Sequence, residues 1–257
     1  MIDTADSCHV TALYPSPNIE ARRGGRRPDL LLLHYTGLKT VEKAIDWLAR
    51  PESKVSCHYV VAEDGRITQM VAESMRAWHA GVSCWAGETD INSCSIGIEI
   101  HNPGHDGGYP DFPSQQMDAV TRLAADIVAR HRIVRDRVLA HSDVAPDRKI
   151  DPGEKFDWRG LAHAGIGRWV APEPIAAADW WHGIGARSEQ IADAQHLLRS
   201  YGYGIEVTGM LDRPTASVLR AFQLHWRPAR FDGCLDASTL VTLRRLVAAS
   251  LTADAIV

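Results

Sequence analysis

Ser95-Ile-Gly-Ile-Glu-Ile-His101 places isoleucine at every second position. Side chains of a strand alternate between faces, so Ile96, Ile98 and Ile100 are expected to meet a core while Gly97, Glu99 and His101 share the other side. Leu30-Leu-Leu-Leu33 is a short continuous apolar run, the pattern of a strand covered on both faces. His58-Tyr-Val-Val-Ala62 and Arg66-Ile-Thr-Gln-Met-Val71 flank Asp64-Gly65, which suits a tight hairpin turn. Arg137-Val-Leu-Ala-His141 reads as a last strand that delivers His141 from its end. Two helices interleave with these strands. One starts at Val41 after the N-cap Thr40, stops before Pro51 and puts Val41, Ala44, Ile45 and Leu48 on one face. The other covers Ser114 to Arg132, with Met117, Val120, Ala124, Ile127 and His131 near one stripe. The pattern is α/β: a mixed central sheet flanked by helices.

Outside this region the chain changes character. Residues 1–29, with Tyr14-Pro-Ser-Pro17 and Arg22-Arg-Gly-Gly-Arg-Arg27, are expected to be an irregular surface arm, with 30–169 as the main domain. Prolines and small residues mark 170–179 as a linker. In 180–250 the strand signals nearly vanish and a repeat takes over. Gly209-Met-Leu-Asp-Arg-Pro-Thr215 and Gly233-Cys-Leu-Asp-Ala-Ser-Thr239 share Gly, Leu, Asp and Thr in register. Each reads as a glycine turn, an Asp N-cap (Asp212, Asp236) with Thr at the third helical position, then a helix. With a further amphipathic helix over Ser188–Ser200, this is a small three-helix domain.

With 257 residues, 45% of them apolar and 23% charged, the chain is in the globular range. A net charge of -4 gives no reason to expect nucleic acid or an anionic membrane as partner. No apolar run approaches the roughly 20 residues of a transmembrane helix, and the first residues show no secretory signal. The five cysteines are scattered without a Cys-x-x-Cys pair, which disfavours a thiolate zinc site or a full disulfide framework.

Chemistry concentrates in Ala140-His-Ser-Asp-Val-Ala-Pro-Asp-Arg-Lys-Ile-Asp-Pro-Gly153. His141 and Asp151 suit a borderline divalent ion such as Zn²⁺, and His34 is the best third ligand, leaving one position open. The competing reading is that His141 and Asp151 serve turns and that His34 is a hydrogen-bonded core histidine. Glu99, between isoleucines, is a candidate general base if it faces a cleft, or an ordinary solvent-facing residue. Lys149 serves either a developing oxyanion or only solvent. Trp78-His79-Ala-Gly81 suits a sugar or peptide cleft, although Trp78 fits a core equally well.

Taken together, Leu33-His-Tyr-Thr36, Ala77-Trp-His-Ala-Gly-Val82, Ser95-Ile-Gly-Ile-Glu99, His141-Ser-Asp-Val-Ala-Pro146 and Arg148-Lys-Ile-Asp-Pro-Gly153 resemble the zinc-dependent N-acetylmuramoyl-L-alanine amidases of the AmpD/AmiD type. These are relatives of phage T7 lysozyme and the peptidoglycan recognition proteins. The C-terminal segment, with Gln195, Gly202-Tyr203, Gly209, Thr215, Phe222-Gln223 and Asp232-Gly233, resembles a helical peptidoglycan-binding domain. The resemblance implies one zinc per chain on His34, His141 and Asp151, with Glu99 activating water and Lys149 stabilising the oxyanion. His79, Trp78 and Asn92 would line the substrate cleft. Cys57 departs from the phage relative, which has a catalytic tyrosine there. The implied partners are peptidoglycan and muropeptides, with the cell envelope or periplasm as the site of action. The alternatives are a cytoplasmic amidase recycling anhydro-muropeptides and a recognition protein that binds without cutting.

Overall fold

The computed structural model describes residues 2–176 and 180–253, so residues 177–179 of the expected linker lie outside the described residues. In chain order the strands and helices begin with β1 (Ala12–Leu13), β2 (Ile19–Ala21), β3 (Leu30–Tyr35), α1 (Val41–Leu48), β4 (Tyr59–Val61), β5 (Ile67–Gln69) and β6 (Met75–Ala77). Next come α2 (Ile91–Cys94), β7 (Ser95–Ile100), α3 (Ser114–His131), β8 (Val138–Ala140), α4 (His141–Val144) and α5 (Trp158–His163). The last are β9 (Trp181–His182), α6 (Glu189–Tyr201), α7 (Arg213–Trp226), β10 (Leu235–Asp236) and α8 (Ala237–Ala253). The chain divides into two compact units.

The first unit comprises Met1–Ser83, Asp90–His141 and Lys155–Arg168. Its central sheet has the order β1-β5-β4-β7-β3-β8. The β4–β5 hairpin is antiparallel and the remaining neighbours are parallel, so the sheet is mixed. Leu30 to Leu33 and Ile96, Ile98 and Ile100 are fully buried, as their apolar patterns require. Gly65 closes the hairpin at φ +80°, and a Cβ there would lie 2.9 Å from the Gln115 carbonyl oxygen. Thr40 caps α1 by accepting from the Lys43 amide, and Val41 and Leu48 join Cys57, Val60 and Met70 in one apolar cluster.

Two expectations change. The α3 stripe is rotated: its buried residues are Gln116, Ala119, Val120, Leu123, Ala124 and Ile127, whereas Met117 and His131 are half-buried. Gln116 is the reason, because its amide nitrogen donates to the carbonyls of Val61 and His101, and hydrophobic periodicity passes over a buried polar anchor. Nor are residues 1–29 irregular throughout. β1 pairs with β5, β2 pairs with β6, and Arg22 is buried, donating to the carbonyls of Glu73, Asn92 and Ser93.

The second unit comprises Cys84–Thr89, Ser142–Glu154 and Trp169–Val257. Its helices start where the repeat predicts. Asp212 accepts from the Thr215 amide at 2.9 Å and Asp236 from the Thr239 amide at 2.6 Å. A buried glutamine stands behind each turn. Gln195 accepts from the Gly209 amide and donates to Met210 O and Thr215 Oγ1; Gln223 accepts from the Gly233 amide and donates to Cys234 O and Thr239 Oγ1.

Candidate metal centre

β3 and β8 run in parallel with Leu33 opposite Ala140, so the next residues along, His34 within β3 and His141 just past the end of β8, come side by side. Their Nδ1 atoms are 2.8 Å apart. Asp151 returns to the same point, and one ligand atom from each of the three buried residues lies within 4.8 Å of the others. The loop between is closed by the Ser142 amide donating to the Asp151 carbonyl at 3.1 Å.

The proton positions follow from the carbonyls around the site. The Ser95 hydroxyl donates to Ile91 O at 2.6 Å, so its oxygen accepts from His79 Nε2 at 3.2 Å. His79 Nδ1 then carries a lone pair and accepts from His34 Nε2 at 3.0 Å, which leaves the lone pair of His34 on Nδ1. His141 Nε2 donates to Ala80 O at 3.1 Å, so its lone pair is on Nδ1 as well. Burial first, then the nearby His34, His58 and His141, hold His79 well below the ordinary imidazole pKa and keep it neutral. As neutral rings the two histidines turn acceptor nitrogens toward each other beside a carboxylate in a buried place, a donor set suited to a cation. Imidazoles whose outer N–H is fixed by a carbonyl or a second group are the usual metal ligands. The donor set fits Zn²⁺.

Glu99 stands opposite His34 in the β3–β7 register, so both side chains emerge on one face of the sheet, and Glu99 is half-buried. Lys149, also half-buried, precedes Asp151 by two residues. Trp78 is half-buried, with its backbone amide bonded to Ser56 Oγ. His79 is only 8% exposed and stands behind His34. Asn92 is buried and its Oδ1 accepts from the amides of His79 and Ala80, which fixes the segment whose Ala80 carbonyl holds His141.

Sequence reasoning missed Ser95 and Gly97. A Cβ at Gly97 would lie 2.5 Å from His79 Nδ1, so only glycine leaves room for that ring. The signal available was a small residue inside an otherwise β-branched strand. His58 is structural: its Nδ1 accepts from the Gly97 amide, and burial, then the adjacent Arg22 charge, lowers its pKa to about 3.

A buried His-His-Asp cluster beside a mixed, mostly parallel sheet, with a capped three-helix unit later in the chain, defines an α/β protein with a candidate metal centre and an accessory helical region. The family model described as N-acetylmuramoyl-L-alanine amidase matches residues 24–154, and the one described as putative peptidoglycan binding domain matches residues 187–243. The chain belongs to the N-acetylmuramoyl-L-alanine amidase family and is an amidase. It is 36% identical over 233 residues to N-acetylmuramoyl-L-alanine amidase AmiD of Escherichia coli, covering 86% of this chain and 82% of that one. It is 37% identical to 1,6-anhydro-N-acetylmuramyl-L-alanine amidase AmpD of Salmonella typhimurium, covering 56% of this chain and 84% of that one. The structure of Escherichia coli AmiD in complex with anhydro-N-acetylmuramic acid-L-Ala-D-γ-Glu-L-Lys superposes with a TM-score of 0.74 at 34% identity, over 90% of this chain and 92% of that one. AmpDh3 from Pseudomonas aeruginosa gives 0.73 at 33%, over 90% and 95%.

Proposed function

We propose that the amidase works through one zinc ion held by His34, His141 and Asp151 and acts on polymeric peptidoglycan at the cell envelope. The observation that carries the metal reading is the pair of Nδ1 atoms 2.8 Å apart beside Asp151, each ring oriented by a hydrogen-bond contact on its far side. When bound, zinc supplies Lewis-acid activation of the scissile carbonyl and the attacking water. Glu99 takes the proton from that water and passes it to the departing L-alanine nitrogen. The Lys149 ammonium balances the negative charge that develops on the carbonyl oxygen. Trp78 offers an aromatic face to the glycan or stem peptide, while His79 and Asn92 shape the cleft by fixing His34 and Ala80.

Action on the polymer is supported by the peptidoglycan-binding match at 187–243, because a soluble fragment needs no wall anchor. No helix among the described residues is long and apolar enough to cross a membrane. The rival is cytoplasmic cleavage of anhydro-muropeptides, the substrate class in the name of the AmpD relative.

The test is metal removal. Chelated enzyme is expected to stop releasing stem peptide from anhydro-N-acetylmuramic acid-L-Ala-D-γ-Glu-L-Lys and from sacculi, and added Zn²⁺ to restore both. Full activity in metal-free protein would refute the centre. Recovery of the native protein from the cytoplasmic fraction, with sacculi left uncut, would refute the envelope assignment alone.

A further inference from the structure

The 142–154 segment that supplies Asp151 groups in one compact unit with the C-terminal helices. Asp143, two residues past His141, is completely buried, and both of its oxygens are held by that helical module. Tyr203, just beyond α6, donates its hydroxyl to Oδ1 at 2.6 Å. His225, in the last turn of α7, places Nδ1 2.7 Å from Oδ2. The His225 ring lies flat on Trp226, with centroids 3.5 Å apart and an 8° interplanar angle, which fixes the direction of that nitrogen. A buried carboxylate is costly unless its oxygens are bonded, so these two contacts decide where residue 143 can sit.

A second strand of chain is anchored in the same place. The Cys84 amide donates to Val144 O at 2.8 Å and the Ala86 amide to Gly202 O at 2.7 Å. Trp85, 2% exposed, packs edge-on against Tyr201 and Tyr203, with ring centroids at 5.8 and 4.9 Å. Gly202 makes that seat possible, since a Cβ would fall 2.6 Å from Trp85 Cε2. Residues 84–89 follow the Trp78–Val82 segment, whose Ala80 carbonyl holds His141. The two segments anchored in the module are therefore continuous in sequence with a ligand loop and with the segment orienting a ligand.

We infer that the C-terminal module is a positioning part of the metal centre, holding the 142–154 segment through Asp143, Tyr203 and His225, as well as a wall-binding domain. This rests on the zinc reading above. Tyr203 and His225 touch neither ion nor substrate in this account; they act through Asp143. A tether-like module would affect only capture of the polymer. A positioning module affects zinc affinity and turnover of a soluble substrate that needs no capture.

The experiment uses the full chain with Tyr203→Phe, His225→Phe and the double variant. The control is Gln195→Ala, whose hydrogen bonds run to Thr208, Gly209, Met210 and Thr215. Zn²⁺ affinity is measured by competition with a chromophoric chelator. Turnover is measured on anhydro-N-acetylmuramic acid-L-Ala-D-γ-Glu-L-Lys, and sacculus binding by sedimentation. Tyr203→Phe and His225→Phe are each expected to weaken zinc binding about 10-fold, at the lower end of outer-shell substitutions. They lower kcat on the soluble substrate and leave sacculus binding intact. The double variant falls short of the product of the singles, because both act on one carboxylate. Gln195→Ala lowers the melting temperature but keeps wild-type zinc affinity. Folded Tyr203→Phe and His225→Phe variants with wild-type zinc affinity and kcat overturn the inference while leaving the centre standing; a wild type that binds no zinc overturns both. If His225→Phe does not fold, Tyr203→Phe removes a single oxygen and decides the matter by itself.

Discussion

His34 and Asp151, two ligands of the proposed centre, come from different kinds of support. His34 lies near the end of β3, whose preceding four leucines are fully buried and whose backbone is paired by β7 on one side and β8 on the other. Asp151 lies on a loop that groups with the helical module and whose hydrogen bonds include Ser142 N to Asp151 O, Lys149 N to Ala145 O and the two to the Asp143 carboxylate. The sheet side is rigid because slipping a strand register would expose a whole apolar face. The loop side has no strand register to defend; it buries Val144 and Ala145 and adds polar contacts of about 1 kcal/mol each, more where one partner is charged. One side of the proposed centre is thus held by strand pairing, and the other leans more on specific hydrogen bonds within its own segment.

The largest effect should come from the residue that joins the two supports. His141→Ala is expected to lose bound zinc together with activity, by roughly 1,000-fold or more in kcat/KM, because two remaining ligands do not make a catalytic zinc site. Metal analysis alongside kinetics checks it; retained zinc would mean the ion sits elsewhere. Glu99→Ala sharpens the comparison, because Glu99 belongs to the rigid sheet and is assigned chemistry rather than ligation. It should keep full zinc occupancy while kcat falls about 100- to 10,000-fold, the range for a lost general base. Equal turnover in wild type and variant would remove Glu99 from the mechanism.

Gly97→Ala probes the sheet side without touching a ligand. The new Cβ would overlap the His79 ring, so a cost of about 1–3 kcal/mol is expected in denaturant unfolding, together with weaker zinc binding through His34. Unchanged stability and zinc affinity would show that the His79 ring can move aside freely.

The smallest predicted change is one of pH in the first unit. Burial raises the pKa of Glu73, but hydrogen bonds from Arg130, His131 and Tyr59 outweigh it and hold the folded-state value at about 2, below the ordinary 4.5. The stabilisation is therefore complete above about pH 4.5 and is lost as pH falls toward 2. It amounts to at most about 3 kcal/mol, and solvent screening of the partly exposed Arg130 reduces it. Acid titration of wild type and Glu73→Gln should differ in slope across that window; parallel curves would assign the acid loss to other carboxylates.

Local pattern carried much of this protein. Alternation in 95–101, the leucine run at 30–33, the Thr40 cap and the Asp212 and Asp236 caps all depend on neighbours a few residues away, and each is found where its pattern puts it. Short motifs single out His34, His141 and Asp151, and one possible ligand atom of each lies within 4.8 Å of the others.

What the sequence could not display is polar pairing across long separations. Arg22 looks like a solvated arginine in a basic run, yet it is buried and bonded to Glu73 and Asn92. Gln116 interrupts an apolar stripe because its partners lie on strands distant in the chain. Asp143, Tyr203 and His225 share no period and no spacing rule. Periodicity records which face of an element avoids water; it holds no information about which buried carboxylate meets which hydroxyl or imidazole. That choice is made only when the packed elements close around it, and here it sets the Asp143 carboxylate between Tyr203 and His225.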